Sequence, residues 1–224
     1  MMATTKAPPR RPNRRGEGGL LRGEIVRAAT RLLRERGDGA HVTLRAVARE
    51  AGIAAPSIYD HFPDPDAIVA AVVAERFAAL MAALRAARHG ITDPAHRLSA
   101  QCYGYLRFAE SEPGLYRVLF DRARRIADPA SSQDSDADAR RQIASNEAVI
   151  YEAGYPAFQF LVDTIASCIE SRQSTSQDPF VDAVGLWSAL HGYCMLRVAA
   201  PEFPWPDERT TVDAMVSAQA RLRP

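Results

Sequence analysis

Apolar residues recur along this chain at three- and four-residue intervals, without a convincing run of strict alternation or a hairpin turn, so the elements it predicts are helices. Ile25, Ala28, Ala29, Leu32 and Leu33 share one face of a first helix, which Gly37 ends. Leu44, Val47, Ala48 and Ala51 repeat the pattern in a second, with Thr43 placed to cap its start and Gly52 to stop it. A very short third segment, AAPSIYDHF, follows. Pro56 disfavours α geometry at Ala55, so this helix is expected to begin at or next to Pro56. Asp64 or Asp66 can start a long connecting helix, about 66–88, through Val69, Val73, Phe77, Leu80, Met81 and Leu84.

The pattern continues to the end of the chain. Asp93 and Pro94 open another helix with a stripe of Leu98, Cys102, Tyr105, Leu106 and Ala109, and Pro113 restarts the chain as PGLYRVLF. Residues 121–142 are polar and charge-rich and read mostly as a mobile loop. Tyr151, Tyr155, Phe158, Val162, Ile165 and Ile169 mark a helix that Gly154 and Pro156 should bend or interrupt. The last two helices are Phe180 to Val198, apolar almost all round with no charge between Asp182 and Arg197, and Thr210 to Leu222. The fold class is all-α, with roughly nine helices.

Charge divides the chain. Residues 1–62 hold 12 Lys/Arg against 6 Asp/Glu, while residues 63–224 hold 16 against 21, although the whole carries only +1. Residues 1–19, with Pro8, Pro9, Pro12, Gly16, Gly18 and Gly19, read as a disordered basic arm. A basic front on a mildly acidic body points to a polyanion met only by the front. No stretch approaches the ~20 uninterrupted apolar residues that span a bilayer, and the N-terminus has no apolar signal core, so a cytoplasmic protein without a membrane partner is expected. Cys102, Cys168 and Cys194 have no CxxC or His-paired spacing, which suits a reducing compartment.

Two short helices joined by a glycine turn, behind a first helix that covers both, make a helix-turn-helix unit. Leu44, Val47, Ala48, Ile53, Ile58 and Phe62 supply its inward face, leaving Arg45 and Arg49 outward. The small residues around Ala55 and Pro56 let backbone come close to a phosphate at a helix N-terminus, and Ser57, Tyr59 and His61 can donate to phosphates or base edges. Arg14 and Arg15 of the arm can reach a minor groove beside such a unit. The plain alternative for Tyr59 is a core aromatic.

Residues 20–80 resemble the DNA-binding domain of the TetR (tetracycline-repressor) family of bacterial regulators, through AGI, SIY, HF and the acidic residue before Ala67. LWSALHGYCMLRVA, with Trp187, His191 and Gly192, resembles the "WHG" C-terminal domain of one branch, as does PGLYRVLF. Thr43, Arg45, Ser57, Tyr59 and His61 match positions that commonly touch DNA in that family. Two positions depart from it: Ala54 stands where Ser usually caps the recognition helix, and Pro65 where Lys often sits near a phosphate. The basic arm is expected to compensate.

The resemblance implies a repressor that binds a palindromic operator in double-stranded DNA as a homodimer through its last two long helices. A helix apolar on every side, such as 180–198, independently asks for a second cover. The resemblance also implies that residues 81–224 bind a small apolar or amphipathic inducer, with candidate lining residues Phe77, Met81, Cys102, Tyr105, Leu106, Tyr116, Phe158, Trp187 and His191. Each of these has a plain core role as its alternative. No metal or other cofactor is implied, since His89, Asp93 and His96 straddle a helix break. No HExxH, GxSxG, P-loop or dinucleotide fingerprint suggests an enzyme. A cysteine-based redox-sensing regulator, and a helical enzyme or interaction protein that does not bind DNA, are the remaining alternatives.

Overall fold

The computed structural model describes residues 18–36, 42–126 and 137–223. Nine helices run through them: α1 (Gly18–Arg36), α2 (Leu44–Ala51), α3 (Pro56–Tyr59), α4 (Pro65–Ala87), α5 (Pro94–Ser111), α6 (Pro113–Ile126), α7 (Ala137–Glu170), α8 (Pro179–Ala199) and α9 (Glu208–Gln219). The described residues contain no strand, only an isolated antiparallel bridge between Ser174 and Leu222.

Local chemistry sets most of the helix starts. Thr43 accepts the Ala46 N–H at 3.1 Å, Asp64 accepts that of Ala67 at 2.7 Å, and Asp93 accepts that of His96 at 2.8 Å. Pro65, Pro94 and Pro179 occupy first-turn positions where a missing N–H costs no helical bond. Gly52 closes α2 in the left-handed region at φ 67°, and the Ile53 N–H bonds back to the Ala48 carbonyl.

α4 joins the two halves. It packs on α1 at one end and on α5, α6 and α7 along the rest. By length and composition it could cross a membrane, despite Asp66, Glu75 and Arg76. Its apolar residues are instead distributed between the two cores: Ile68, Val69, Val72 and Val73 beside α1, then Phe77, Leu80 and Leu84 in the larger body. α5 comes close to it at Gly104, where a Cβ would lie 2.8 Å from that of Ala87. At the far end the chain terminus is tied back on itself. Arg221 holds the buried Asp182 carboxylate at 3.1 and 3.2 Å, and the Thr175 N–H bonds to the Arg221 carbonyl.

The structure corrects four expectations from the pattern. Residues 121–126 and 137–142, read as loop, are helical; the arginines and alanines that suggested solvent exposure are also strong helix formers. Residues 127–136 of that stretch lie outside the described residues. α1 begins at Gly18, because helix propagates outward from the buried Ile25 and Val26 through the partly buried Leu21. α7 runs unbroken through Gly154 and Pro156 for 34 residues, longer than α4. Pro156 and Glu152, whose carbonyl loses its partner, are both exposed, so water can satisfy that carbonyl, and Leu161, Val162 and Ile165 anchor the helix beyond. Ala55 sits in the right-handed α region at φ −55°, ψ −37° although Pro56 follows. Burial of Ile58 and Phe62 in the common core overrides that local preference.

Candidate functional site

Two places carry chemistry, and α4 lies between them. The first is the head formed by α1 to α3 with the start of α4. Ile58 and Phe62 are fully buried under α1, with Val47 and Ala48 from α2. Arg22 of α1 covers the Phe62 ring at 4.7 Å. Anchoring at positions 58 and 62 turns their neighbours outward: Tyr59 is 62% exposed, Asp60 is exposed, and Ser57 and His61 are partly so.

Thr43 and Arg45 are exposed on the same unit, together with Arg49 and Pro56, whereas Ala55 packs partly against the core. Thr43 already caps α2 with its hydroxyl oxygen, which leaves its proton free to donate. The Ala55 side of α3 has no side-chain cap, as expected from Ala54; the Ala54 carbonyl accepts the Ser57 N–H at 3.0 Å. Arg14 and Arg15 lie outside the described residues.

The second place is a cavity of about 420 Å³ enclosed by α4, α5, α6, α7 and α8. Of the nine residues proposed from sequence, Phe77, Cys102, Tyr105, Phe158 and Trp187 line it. Leu106 and Tyr116 line a separate pocket of about 230 Å³ formed by α5, α6 and α8, and Met81 and His191 line neither. His191 lies behind the cavity, its Nδ1 2.7 Å from the Tyr116 hydroxyl, which in turn lies 2.6 Å from that of Tyr105. The tyrosine pair therefore links the cavity wall to the histidine. Burial pushes both phenols well above their ordinary pKa, so they remain neutral donors and acceptors.

Phe120 is the main lining residue that sequence reading missed. Its ring sits 6.3 Å from Phe77, 6.1 Å from Trp187 and 4.4 Å from His191, joining the walls from α4, α6 and α8. Its signal was present in PGLYRVLF, four positions after Tyr116 and so on the same face of α6. Gln101 was also missed, since a lone glutamine on an apolar stripe has no local signature. Tyr151 and Tyr155, stacked at 5.6 Å, line the cavity while remaining largely open to solvent, and so form its mouth.

The cysteines are all buried. Burial pushes Cys102 up to about 12, and Cys168 and Cys194 up to about 11, which opposes the thiolate that redox sensing requires. Among the described residues no group of three or more His, Cys, Asp or Glu side chains could hold a metal ion.

Family comparison agrees with this two-part arrangement. Residues 25–72 match the model for bacterial regulatory proteins of the tetR family, and residues 98–219 match the tetracyclin repressor-like C-terminal domain. The chain belongs to the TetR family of transcription regulators, with a helix-turn-helix DNA-binding head and a ligand-binding C-terminal domain. Similar solved structures include a protein of unknown function from Rhodococcus sp. RHA1, at 23% identity and TM-score 0.67, covering 90% of this chain and 92% of that one. The fatty acid degradation regulator FadR from Bacillus halodurans matches at 13% identity and TM-score 0.64, covering 95% and 100%. The flavonoid-responsive regulator FrrA matches at 18% identity and TM-score 0.60, covering 91% and 96%.

Proposed function

We propose that this protein is a homodimeric repressor that grips a palindromic operator with its α2–α3 head and is released when a small apolar or amphipathic inducer enters the α4–α8 cavity. The division is a basic arm ahead of α1, a reading head from α1 to residue 80 and an effector and dimerisation body over 81–224. The observation that carries the DNA reading is the split within α3, where Ile58 is buried and Tyr59 beside it stands out in solvent. An exposed tyrosine between a partly exposed serine and histidine, flanked by Arg45 and Arg49, suits contact with phosphates and base edges.

Dimerisation has its own support. Six large exposed hydrophobics, Phe180, Val181, Val184, Trp187, Leu196 and Val198, lie on α8, half of all those among the described residues. A Cβ added at Gly192 on the same helix would meet nothing within 4 Å, so a partner helix could approach closely there. A second copy covering α8 would also adjoin the cavity, since Phe180, Val184 and Trp187 line it. An inducer could then bias the spacing of two heads through α4, by its differential affinity for the two arrangements. The apolar, ring-rich lining is in keeping with the flavonoid named for one structural neighbour.

The test is fluorescence anisotropy with labelled DNA from beside the protein's own gene. Affinity should fall steeply with salt, as counterion release requires. Tyr59→Ala should lower it while leaving the melting temperature in place, and removal of residues 1–17, ahead of α1, should do likewise. Affinity unaffected by salt and by Tyr59→Ala would sink the reading.

A further inference from the structure

Among the described residues that line the cavity there is one side-chain amide, and only half of it is used. Gln101 of α5 is only 2% exposed, and its Oε1 accepts a hydrogen bond from the Thr164 hydroxyl of α7 at 2.8 Å. Thr164 in turn accepts from the Arg88 guanidinium at 3.0 Å, and Arg88 is steadied over the Phe160 ring at 4.2 Å. A guanidinium only donates, so Thr164 spends its own proton on an acceptor, and that one proton is shared between the Gln101 Oε1 and the Phe160 carbonyl, each at 2.8 Å. The amide is thus held with its carbonyl toward α7, and its NH₂ makes no hydrogen bond to any described residue. Gln101 lines the cavity. A donor at the wall of an apolar cavity has no protein partner there, and a bound acceptor would supply one.

The rest of the lining narrows the ligand further. No Asp, Glu, Lys, Arg or His is found among its described residues. A full charge brought there would lose its water and meet no counter-charge. Phe77, Phe120, Phe158 and Trp187 present ring surfaces in edge-on and tilted contact with one another, suited to a flat ring system.

We propose that the cavity selects an uncharged, ring-bearing molecule carrying a hydrogen-bond acceptor, a ketone, ester or ether oxygen, which the Gln101 amide NH₂ recognises. This rests on the effector reading given above. It also ties the recognition contact to α4, because Gln101 reaches through Thr164 to Arg88, the residue that caps the C-terminus of α4.

The experiment is calorimetric titration of the full chain with three shape-matched probes: 2-acetylnaphthalene, 2-isopropylnaphthalene and 2-naphthoate at neutral pH. The ketone should bind tightest, the hydrocarbon about tenfold weaker for one lost hydrogen bond. The carboxylate should be weaker than the ketone by about a hundredfold or more. Gln101→Leu should bring the ketone down to the level of the hydrocarbon and leave the hydrocarbon unchanged. A carboxylate that binds as tightly as the ketone, or a ketone preference that survives in Gln101→Leu, overturns the proposal and leaves the cavity as an effector site. If none of the three binds the unaltered protein, the proposal and the cavity reading fall together. Should the variant not fold, the unaltered protein still decides, since a ketone no tighter than its hydrocarbon match overturns the proposal.

Discussion

Arg34 of α1 donates to Glu112 at 2.8 Å across 78 positions of sequence, joining the head to the junction between α5 and α6. The other Glu112 oxygen accepts from Arg76 of α4 at 3.2 Å, so one carboxylate ties together three helices. Arg76 is the more enclosed partner, and its Nε is buried without a hydrogen bond. Glu112→Ala should destabilise the fold by about 1 kcal/mol, as for a partly solvated charge network. It should also reduce the change in DNA affinity that a cavity ligand produces, since head and body would be less firmly joined. Urea unfolding and anisotropy titrations with and without a bound ligand measure the two effects.

Gly52 holds the angle between α2 and α3. At φ 67° it sits where a side chain is strained, yet an added Cβ would meet nothing within 4 Å. Gly52→Ala should therefore cost about 1 kcal/mol, from backbone strain alone. Operator binding should fall by more than that stability loss explains, because the same turn aims Tyr59. Comparing unfolding free energy with DNA affinity for this variant tests it.

Gly154 lies in α7 against the cavity ring of Phe77, and a Cβ there would come within 3.0 to 3.3 Å of three ring atoms. The ring can yield only where there is space, which is the cavity. Gly154→Ala should gain helix propensity worth up to about 1 kcal/mol and lose some of it to the displaced ring. The expected result is a melting temperature within a few degrees of the original and weaker binding of a cavity ligand. A variant that binds the ligand unchanged would show that Phe77 does not bound the site.

The buried thiols give a signed dependence on pH. Their ordinary value is 9.0, raised by burial to about 12 for Cys102 and about 11 for Cys168 and Cys194. Below pH 9 both folded and unfolded chains keep these thiols protonated, and they contribute nothing to pH dependence. Above pH 9 the unfolded chain ionises them while the folded chain does not, so stability should fall as pH rises toward 11. Denaturant midpoints at pH 7.5 and pH 10 measure this, with a Cys102→Ser, Cys168→Ser, Cys194→Ser triple variant losing much of the difference. At neutral pH the native thiols should react slowly with alkylating reagents, far more slowly than in denaturant.

What the amino-acid order determined by itself is the set of features governed by near neighbours. The helical period, the Thr43, Asp64 and Asp93 caps and the Gly52 stop each depend on residues within one turn, and the structure forms each of them. The inward positions of the head were legible for the same reason, since Val47, Ala48, Ile58 and Phe62 fall on one continuous apolar face. The basic front was legible because charge is additive along a chain. Tertiary packing decided the rest. Ala55 adopts α geometry and α7 continues through Pro156 because burial elsewhere outweighs a local preference. The cavity is a space left between five helices brought together from distant parts of the chain. Five of its lining residues could be named beforehand as candidates among the apolar and aromatic residues of the middle helices, where the family resemblance implies an inducer. Gln101 and the exclusion of Met81, Leu106, Tyr116 and His191 could not, because which face of a helix borders a gap depends on what its neighbours fail to fill.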